Sequence, residues 1–159
     1  MKLELKRFQQ EYFAEYAAWF VDHELNRHLG PIDQEWLDAV LSQPESAGAT
    51  WAVFRHRELV AVVETVYDPE NRLPAAITAI AVKPELRRQG ICTNVLRSIV
   101  ALHKPQGITE HVAYISVHNP GGQRCAIKAG FVPVKAEPDE RGYLEFRHLQ
   151  QKGKEELYS

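Results

Sequence analysis

The sequence predicts a single α/β domain of the mixed α+β type, with one central sheet and helices packed against it. Three observations support this fold class. The chain has 159 residues, which suits one domain and is enough to bury a core without disulfides or metal. It is 45% hydrophobic and 25% charged, as globular proteins are. Strand-like and helix-like patterns alternate along it, without an internal repeat.

Runs of alternating or β-branched residues predict the strands, over residues 3–7, 50–55, 59–67, 74–82, 112–117, 131–135 and 143–148. Apolar residues at helical spacing predict helices over residues 10–21, after Asp33, over 90–103 and after residues 119–122. The run 74–82 lacks clean alternation, which is typical of a strand buried on both faces. The polar residues 150–159 are expected to form a solvated tail, which leaves residues 1–149 as the domain.

The charge and cysteine content exclude several classes of protein. A formal net charge of -2 argues against a nucleic-acid partner, because such proteins carry a basic excess. Cys92 and Cys125 are too far apart in sequence for a zinc site or a disulfide framework, and they favour a reducing compartment. The N-terminus lacks the apolar segment of a signal peptide, and no apolar run could span a bilayer. We therefore expect a cytoplasmic protein without a metal or a membrane partner.

Residues 82–93 combine a strand end, a basic loop, a glycine and an amphipathic helix. A helix N-terminus offers unpaired backbone N–H groups and the positive end of its dipole, which suits a phosphate. Gly90 has no Cβ, so the backbone can approach a ligand closely. Arg87 and Arg88 add donors that match phosphate oxygens. The segment predicts a diphosphate site, although a plain strand–loop–helix connection with a solvated arginine pair also fits it.

Two motifs make the chain resemble the GNAT N-acetyltransferases. Residues 87–92, Arg-Arg-Gln-Gly-Ile-Cys, are similar to the (Gln/Arg)-x-x-Gly-x-(Gly/Ala) loop that binds acetyl-CoA in that family. Residues 119–131 resemble its second signature, an Asn followed by a short helix that ends in Lys-x-Gly-Phe. The two motifs stand at the family's separation, and the order of predicted elements is also the family's. The resemblance covers essentially the whole chain and is firm over residues 77–131.

The resemblance implies a GNAT-like fold, in which a mixed, mostly antiparallel sheet opens in a V between its fourth and fifth strands, with helices on both faces. It implies an acetyl-CoA-dependent N-acetyltransferase, in which the primary amine of an acceptor attacks the thioester directly. The pantetheine arm would pair with the backbone of Ile80 and Val82 and be steadied by Asn119, while the diphosphate would lie on the amides after Arg87. The implied cofactor-binding residues are Ile80, Val82, Arg87, Arg88, Gln89, Gly90, Ile91, Cys92, Thr93 and Asn119. Family members often dimerise, which leaves a homodimer open.

Two positions depart from the family's pattern. Cys92 stands where the family has Gly or Ala, and we interpret it as a packing residue; the alternative is a thiol made reactive by the helix N-terminus. Ala126 stands where many members carry the Tyr that protonates the CoA thiolate, so the general acid is unassigned. This gap leaves a second function open, a GNAT-like domain that senses acyl-CoA without turnover. Another type of nucleotide-binding domain is disfavoured, since the chain has neither Gly-x-Gly-x-x-Gly after its first strand nor a Gly-Lys-Ser/Thr loop.

Three residues are candidates for moving protons. A protonated alkylamine titrates at about pH 10, so a general base would help the attack. Glu64 lies among valines in a predicted strand, where burial would raise its pKa; the alternative is that it points to solvent. Tyr114 and His118 share one strand face by alternation, and either could replace the missing acid. An ordinary polar strand face is the alternative for both.

The region expected to bind the acceptor amine has the fewest interpretable sequence patterns. Asp22, His23 and Glu24 fall between the first two predicted helices, where the family often builds its acceptor site. They could bind a cationic substrate or form a solvated helix end. Trp19 and Trp36 are the aromatic candidates for a pocket. The sequence does not identify the acceptor amine.

Overall fold

The computed structural model describes residues 1–150 and places them in seven strands, five α-helices and several short 3-10 turns. The strands are β1 (Glu4–Arg7), β2 (Gly48–Arg55), β3 (Glu58–Val66), β4 (Ala75–Val82), β5 (Glu110–Ser116), β6 (Val132–Pro133) and β7 (Tyr143–Leu149). The helices are α1 (Phe13–Ala18), α2 (His23–Leu29), α3 (Gln34–Ser42), α4 (Ile91–His103) and α5 (Pro120–Lys128). None of the helices in residues 1–150 has the length and apolar character of a membrane span.

The strands form one sheet in the order β1-β2-β3-β4-β5-β7-β6. Neighbouring strands run antiparallel, except for the parallel pair β4 and β5. This parallel pairing covers only three residue pairs, Ala75–His111, Ala76–Val112 and Ile77–Ala113. Beyond Ile77 and Ala113 the two strands separate, so the sheet opens toward their C-terminal ends. The predicted mixed sheet with a V between its fourth and fifth strands is confirmed.

Helices cover both faces of the sheet, as predicted, but they cover them unequally. On one face, α4 and α5 pack over a core that includes Val95, Ile99, Phe131 and Phe146. On the other face, α1 to α3 pack over β2 to β4 through a core that includes Tyr16, Leu37, Val62 and Ala81. Ala113 of β5 belongs to the first core, so Tyr114 faces the opposite side by alternation. Tyr114 is 49% exposed there, which shows that this half of the second face is open.

The region before β2 differs from the prediction, which placed two helices there. Residues 10–21 form a 3-10 turn, the short helix α1 and a second 3-10 turn instead of one helix. The additional helix α2 begins after Asp22, whose Oδ2 accepts a hydrogen bond from the Leu25 N–H at 3.1 Å. Leu25 is the buried residue of α2. A helix with one buried residue has no apolar stripe, so the sequence pattern does not reveal it.

Strand β4 is less buried than its apolar sequence predicts. Thr78 is exposed, and Ile80 and Val82 are only half-buried. The cause is the V, because β5 leaves β4 after Ile77 and the rest of β4 has no neighbour on that edge. At the end of the sheet, β6 is shorter than the predicted strand 131–135. It pairs with β7 over Val132–Pro133, and the Val134 N–H adds a hydrogen bond to the Glu145 carbonyl at 3.0 Å.

Gln150, the first residue of the predicted tail and the last described residue, hydrogen-bonds to the domain. Its Nε2 donates to the Val100 carbonyl and its backbone N–H to the Thr109 carbonyl, both at 3.0 Å. Residues 151–159 of the predicted tail lie outside the described residues.

Candidate active site

The loop between β4 and α4 has the backbone geometry of an anion site. Gly90 lies in the left-handed region at φ 81° and ψ 8°, and Arg88 has a φ of 63°, whereas Gln89 between them is outside that region. Such alternation of backbone handedness turns N–H groups to one side and forms a concavity that suits anions. A non-glycine residue at positive φ costs about 1–2 kcal/mol, so the conformation of Arg88 marks a strained turn of the kind found at binding sites.

The same turn leaves room for a ligand at the start of α4. A Cβ on Gly90 would have Asn94 Nδ2 as its nearest heavy atom, 3.8 Å away. Within the described residues, no side chain caps the first turn of α4, so its first N–H groups are left for a ligand or water. The Asn94 side chain instead donates to the Gly90 carbonyl at 2.8 Å and fixes the turn. The result is an open helix N-terminus that can accept a diphosphate.

The edge of β4 that faces the V offers backbone hydrogen-bonding groups. The Lys83 N–H donates to the Val60 carbonyl of β3 at 2.9 Å. Because successive residues of a strand direct their N–H and C=O groups to opposite edges, those of Val82 and Ile80 point away from β3, toward the V. Since β5 leaves that edge after Ile77, these groups can pair with an extended chain that carries amides. A pantetheine arm is such a chain.

Asn119 precedes α5, at the C-terminal end of β5 and therefore at the mouth of the V. Its Oδ1 accepts a hydrogen bond from the Gly122 N–H at 3.0 Å and caps the helix. Gly122 permits this fold-back, because a Cβ there would lie 2.7 Å from Asn119 Nδ2. The side chains of Cys92, in the first turn of α4, and Cys125, in α5, are in contact. The glycine turn and Asn119 therefore lie on the same side of the molecule.

Glu64 lies on the central strand β3, in register with Ala79 of β4. Burial raises the pKa of Glu64, and a hydrogen bond from the Trp36 side chain opposes part of that rise. Burial, with a smaller contribution from the Glu64 charge, raises the pKa of the neighbouring Tyr16 phenol. The structure places Glu64 half-buried on this face, close to side chains of α1 and α3.

The two candidate acids lie at the other wall of the V. Tyr114 of β5 faces the same side of the sheet as Glu64, since Val62, two residues before Glu64, packs in the core under α1 to α3. His118 is exposed just beyond β5, and its N–H donates to Ser116 Oγ at 3.1 Å. Glu64 and Tyr114 thus share one face with the V between them, and His118 lies at its mouth.

A comparison with known families identifies this arrangement. The acetyltransferase (GNAT) domain family matches residues 2–132, a span that contains the V, the glycine turn and most of the second motif. The chain belongs to the GNAT acetyltransferase family. No curated protein sequence matches it.

Solved GNAT structures share the fold. The aminoglycoside acetyltransferase AAC(6')-Ib, solved with paromomycin and acetyl-CoA, is 16% identical with a TM-score of 0.78, over 95% of each chain. The PaiA N-acetyltransferase from Thermoplasma acidophilum, solved with coenzyme A, is 17% identical with a TM-score of 0.71, over 94% of this chain and 100% of that one. A chimera of the spermidine N-acetyltransferase SpeG from Vibrio cholerae and hSSAT is 15% identical with a TM-score of 0.71, over 94% and 96%. At these identities the likeness shows the fold.

In this GNAT domain, the guanidinium of Arg87 is held by Asp22, 65 residues earlier in the chain. Nη1 donates to Asp22 Oδ1 at 3.1 Å and Nη2 to Asp22 Oδ2 at 2.5 Å, while Glu24 Oε2 lies 3.7 Å from Nη1. The hydrogen bonds from Arg87 and the Leu25 N–H lower the pKa of Asp22 to about 2. The sequence predicts that both arginines bind a diphosphate, whereas in the structure Arg88 is exposed beside the glycine turn and Arg87 is half-buried.

The two departures from the GNAT pattern are both packed positions. A hydrogen bond with Cys125, together with burial, raises the pKa of the Cys92 thiol, which favours the packing interpretation over a nucleophile. Hydrogen bonds from Cys92 and Thr93 lower the pKa of Cys125. Ala126 is fully buried between α5 and the sheet, where a larger side chain would overpack the core.

A shallow cavity of about 400 Å³, open to solvent, lies between the α1–α2 junction and the loop after β4. Its lining residues are Ala18, Trp19, Val21, Asp22, Lys83, Pro84 and Glu85. Trp19 is 6% exposed, and its Nε1 has no hydrogen-bond partner among residues 1–150. Trp19 and Asp22 are therefore brought together here, whereas Trp36 contacts Glu64 instead.

Two neighbours of the candidate residues were missed from the sequence. The first is Arg87, which forms an ion pair with Asp22, and the second is the Tyr16 phenol, whose pKa the Glu64 charge helps to raise. Asp22 carried one readable signal, since an Asp before a Glu-containing turn is a typical N-cap. The spacing of residues along the sequence does not reveal that Asp22 meets Arg87, or that Glu64 lies near Tyr16. Both pairs join elements that are distant in the chain.

Proposed function

We propose that this chain transfers an acetyl group from acetyl-CoA to a primary amine of a small molecule or peptide, by direct attack of the amine on the thioester. The observation that carries the proposal is the V. Strands β4 and β5 pair over three residues and then separate next to the left-handed turn at Gly90. The V therefore combines a wall of free backbone groups with an anion site at its mouth, and CoA carries both an amide-bearing arm and a diphosphate.

Backbone groups do most of the binding in this proposal. The N–H groups of Ile91, Cys92 and Thr93, with the positive end of the α4 dipole, hold the diphosphate, and Arg88 adds a side-chain charge. Ile80 and Val82 hold the extended arm, as their outward-facing edge permits. Acetyl-CoA supplies an activated acetyl group in a thioester. The walls of the V orient that group and shield it from water.

Glu64 is the proposed general base. Its raised pKa suits a carboxylate that takes a proton from an ammonium group, directly or through water, near neutral pH. Tyr114, on the same face across the V, is the proposed general acid for the CoA thiolate, and His118 at the mouth is the alternative. Because a thiol has a pKa of about 8.5, its thiolate leaves readily, and the acid assists the reaction without being essential.

Two measurements test the proposed function. Thermal unfolding with acetyl-CoA, ATP or NAD should show stabilisation by acetyl-CoA alone, by about 2.7 kcal/mol at a concentration of about 100 times Kd. Thiol release from acetyl-CoA should then be seen with at least one of kanamycin, spermidine and a short peptide. Lack of stabilisation by acetyl-CoA would refute the donor. Stabilisation without release for a wide amine panel would refute the transferase.

The second candidate function is acyl-CoA sensing without turnover. It is favoured by Ala126, which is buried and stands where many GNAT enzymes carry their acidic Tyr. In a sensor, acetyl-CoA stabilises the protein while thiol release stays at the rate of the buffer control with every amine. A Glu64→Gln variant separates the candidates further, because only an enzyme loses a measurable activity with it.

A further inference from the structure

One carboxylate, Asp22, joins two elements of the site. Its backbone is extended, at φ -65° and ψ 123°, and it separates the 3-10 turn Trp19–Val21 from α2. Its Oδ2 caps α2 through the Leu25 N–H, and both of its oxygens hold the guanidinium of Arg87. Asp22 is therefore a joint in the α1–α2 segment, and Arg87 fastens this joint to the loop that carries the glycine turn.

Apolar packing anchors both sides of the joint, since Trp19 before it and Leu25 after it are buried in the second core, and the ion pair adds the polar contact to the cofactor loop. Helix α2 has seven residues and Leu25 is its buried side chain. The ion pair is partly shielded, with the Arg87 and Asp22 side chains 35% and 26% exposed. A bidentate pair between a guanidinium and a carboxylate fixes direction as well as distance. The joint lies on one side of the 400 Å³ cavity and the loop after β4 lies on the other, so the ion pair connects its two sides.

The same contacts weaken Arg87 as a partner for phosphate. Hydrogen bonding to Asp22 raises the pKa of Arg87 and lowers that of Asp22, so both groups remain charged at any working pH. Glu24 places a second carboxylate 3.7 Å from Nη1. Two negative groups beside the guanidinium offset its attraction for a diphosphate. Arg88, one residue further on, has no ion-pair partner within residues 1–150 and is exposed.

We propose that Arg87 is a positioning residue, which acts through Asp22 to hold the α1–α2 joint against the cofactor loop and so shapes the cavity that receives the acceptor amine. Arg88, and not Arg87, supplies the side-chain charge for the diphosphate. The inference rests on the proposed function, because it assigns the cavity to the acceptor. The cofactor loop and the acceptor wall are then two ends of one connected unit.

The test compares Arg87→Ala with Asp22→Asn and uses Arg88→Gly as the matched control. Asn is as good an N-cap as Asp, so Asp22→Asn breaks the ion pair and keeps the cap of α2. Arg88→Gly removes the charge at a position whose φ of 63° suits glycine. Each variant is measured by calorimetry with acetyl-CoA and by hydrogen exchange of residues 23–29. Steady-state kinetics use the amine that the wild type acetylates among kanamycin, spermidine and a short peptide.

Arg87→Ala and Asp22→Asn should each raise the acceptor KM by about five-fold, speed exchange in α2 and leave the acetyl-CoA Kd within about two-fold. The double variant should be no worse than either single one, because the two residues act as a unit. Arg88→Gly should weaken acetyl-CoA binding by about five-fold without affecting α2.

Two results would overturn the inference. One is an acetyl-CoA Kd that rises in Arg87→Ala as it does in Arg88→Gly, which would make Arg87 a diphosphate ligand. The other is additive effects of the Arg87 and Asp22 substitutions on the acceptor KM. If the wild type acetylates none of the amines, the proposed function fails, while α2 exchange and the acetyl-CoA Kd still decide whether Arg87 positions α2.

Discussion

Substitution of Gly90 tests the anion site at the point where the structure leaves most room. The residue has φ 81° and ψ 8°, and an added Cβ would lie 3.8 Å from its nearest heavy atom. A new side chain therefore meets no clash within the protein, and its cost to folding is that of the left-handed backbone. For Asn or Asp, which tolerate this region best, that cost is about 1 kcal/mol, or about 3 °C in Tm for a chain of this size.

Gly90→Asp and Gly90→Asn isolate the effect of charge, because the two side chains have the same shape. A carboxylate about 4 Å from a phosphate oxygen costs about 1 kcal/mol at the dielectric constant of water and about 4 kcal/mol at the effective value near a protein surface. The Asp variant should therefore bind acetyl-CoA about 5- to 1000-fold more weakly than the Asn variant. The difference should shrink as salt is added, since salt screens exposed charges.

Calorimetric titration with acetyl-CoA at low and high salt measures this difference. Thermal unfolding without ligand provides the control, because both variants should lose the same stability. Equal affinities of the two variants at low salt would mean that no diphosphate lies against Gly90, and the proposed cofactor loop would then have to be abandoned.

The remaining predictions concern proton transfer, acid stability and the thiols. Glu64→Gln should lower kcat by about 100-fold or more and remove the rising limb of the pH profile, because an amide cannot accept the proton; an unchanged limb would place the base elsewhere. Burial, with the neighbouring histidine charges, lowers the pKa of His111 to about 3. Below about pH 6.5 the folded state then binds fewer protons than the unfolded chain. The free energy of unfolding, measured in urea, should therefore be about 2 kcal/mol lower at pH 5 than above pH 7, and this pH dependence should be weaker in His111→Phe. The raised pKa of Cys92 keeps its thiol protonated, so iodoacetamide should label Cys125 before Cys92. For the same reason Cys92→Ala should retain its activity. An inactive but folded Cys92→Ala variant would contradict the packing role.

The glycine turn and α4 could be predicted because their signals are local. Gly90 lies next to an apolar stripe at helical spacing, and the structure has α4 at Ile91–His103, within one residue of the prediction. The V came from the family resemblance, and its consequence for β4 was not foreseen. An apolar sequence predicts a fully buried strand whether or not a neighbouring strand lies beside it. The exposure of Thr78 therefore could not be predicted, because it depends on where β5 separates from β4.

Other parts of the site depend on register and on distant contacts, which no local pattern encodes. The direction of the Ile80 and Val82 amides follows from the pairing of Lys83 with β3. A contact between two histidines was also not predicted. His103 Nδ1 and His111 Nε2 lie 2.8 Å apart, although eight positions separate the two residues in the sequence. Both are buried, and the sequence offered no reason to place them together.

The short pairing between β4 and β5 gives the sheet an edge in its interior. Exposed edges elsewhere in proteins are guarded by charged residues, bulges or short length, because they invite a foreign strand. Here the unguarded edge at Ile80 and Val82 is flanked by β5, which admits one extended chain alongside. In the proposed complex, the pantetheine arm lies along this edge in the place of a strand. Its amides then form the hydrogen bonds that no strand of the protein forms with this part of β4.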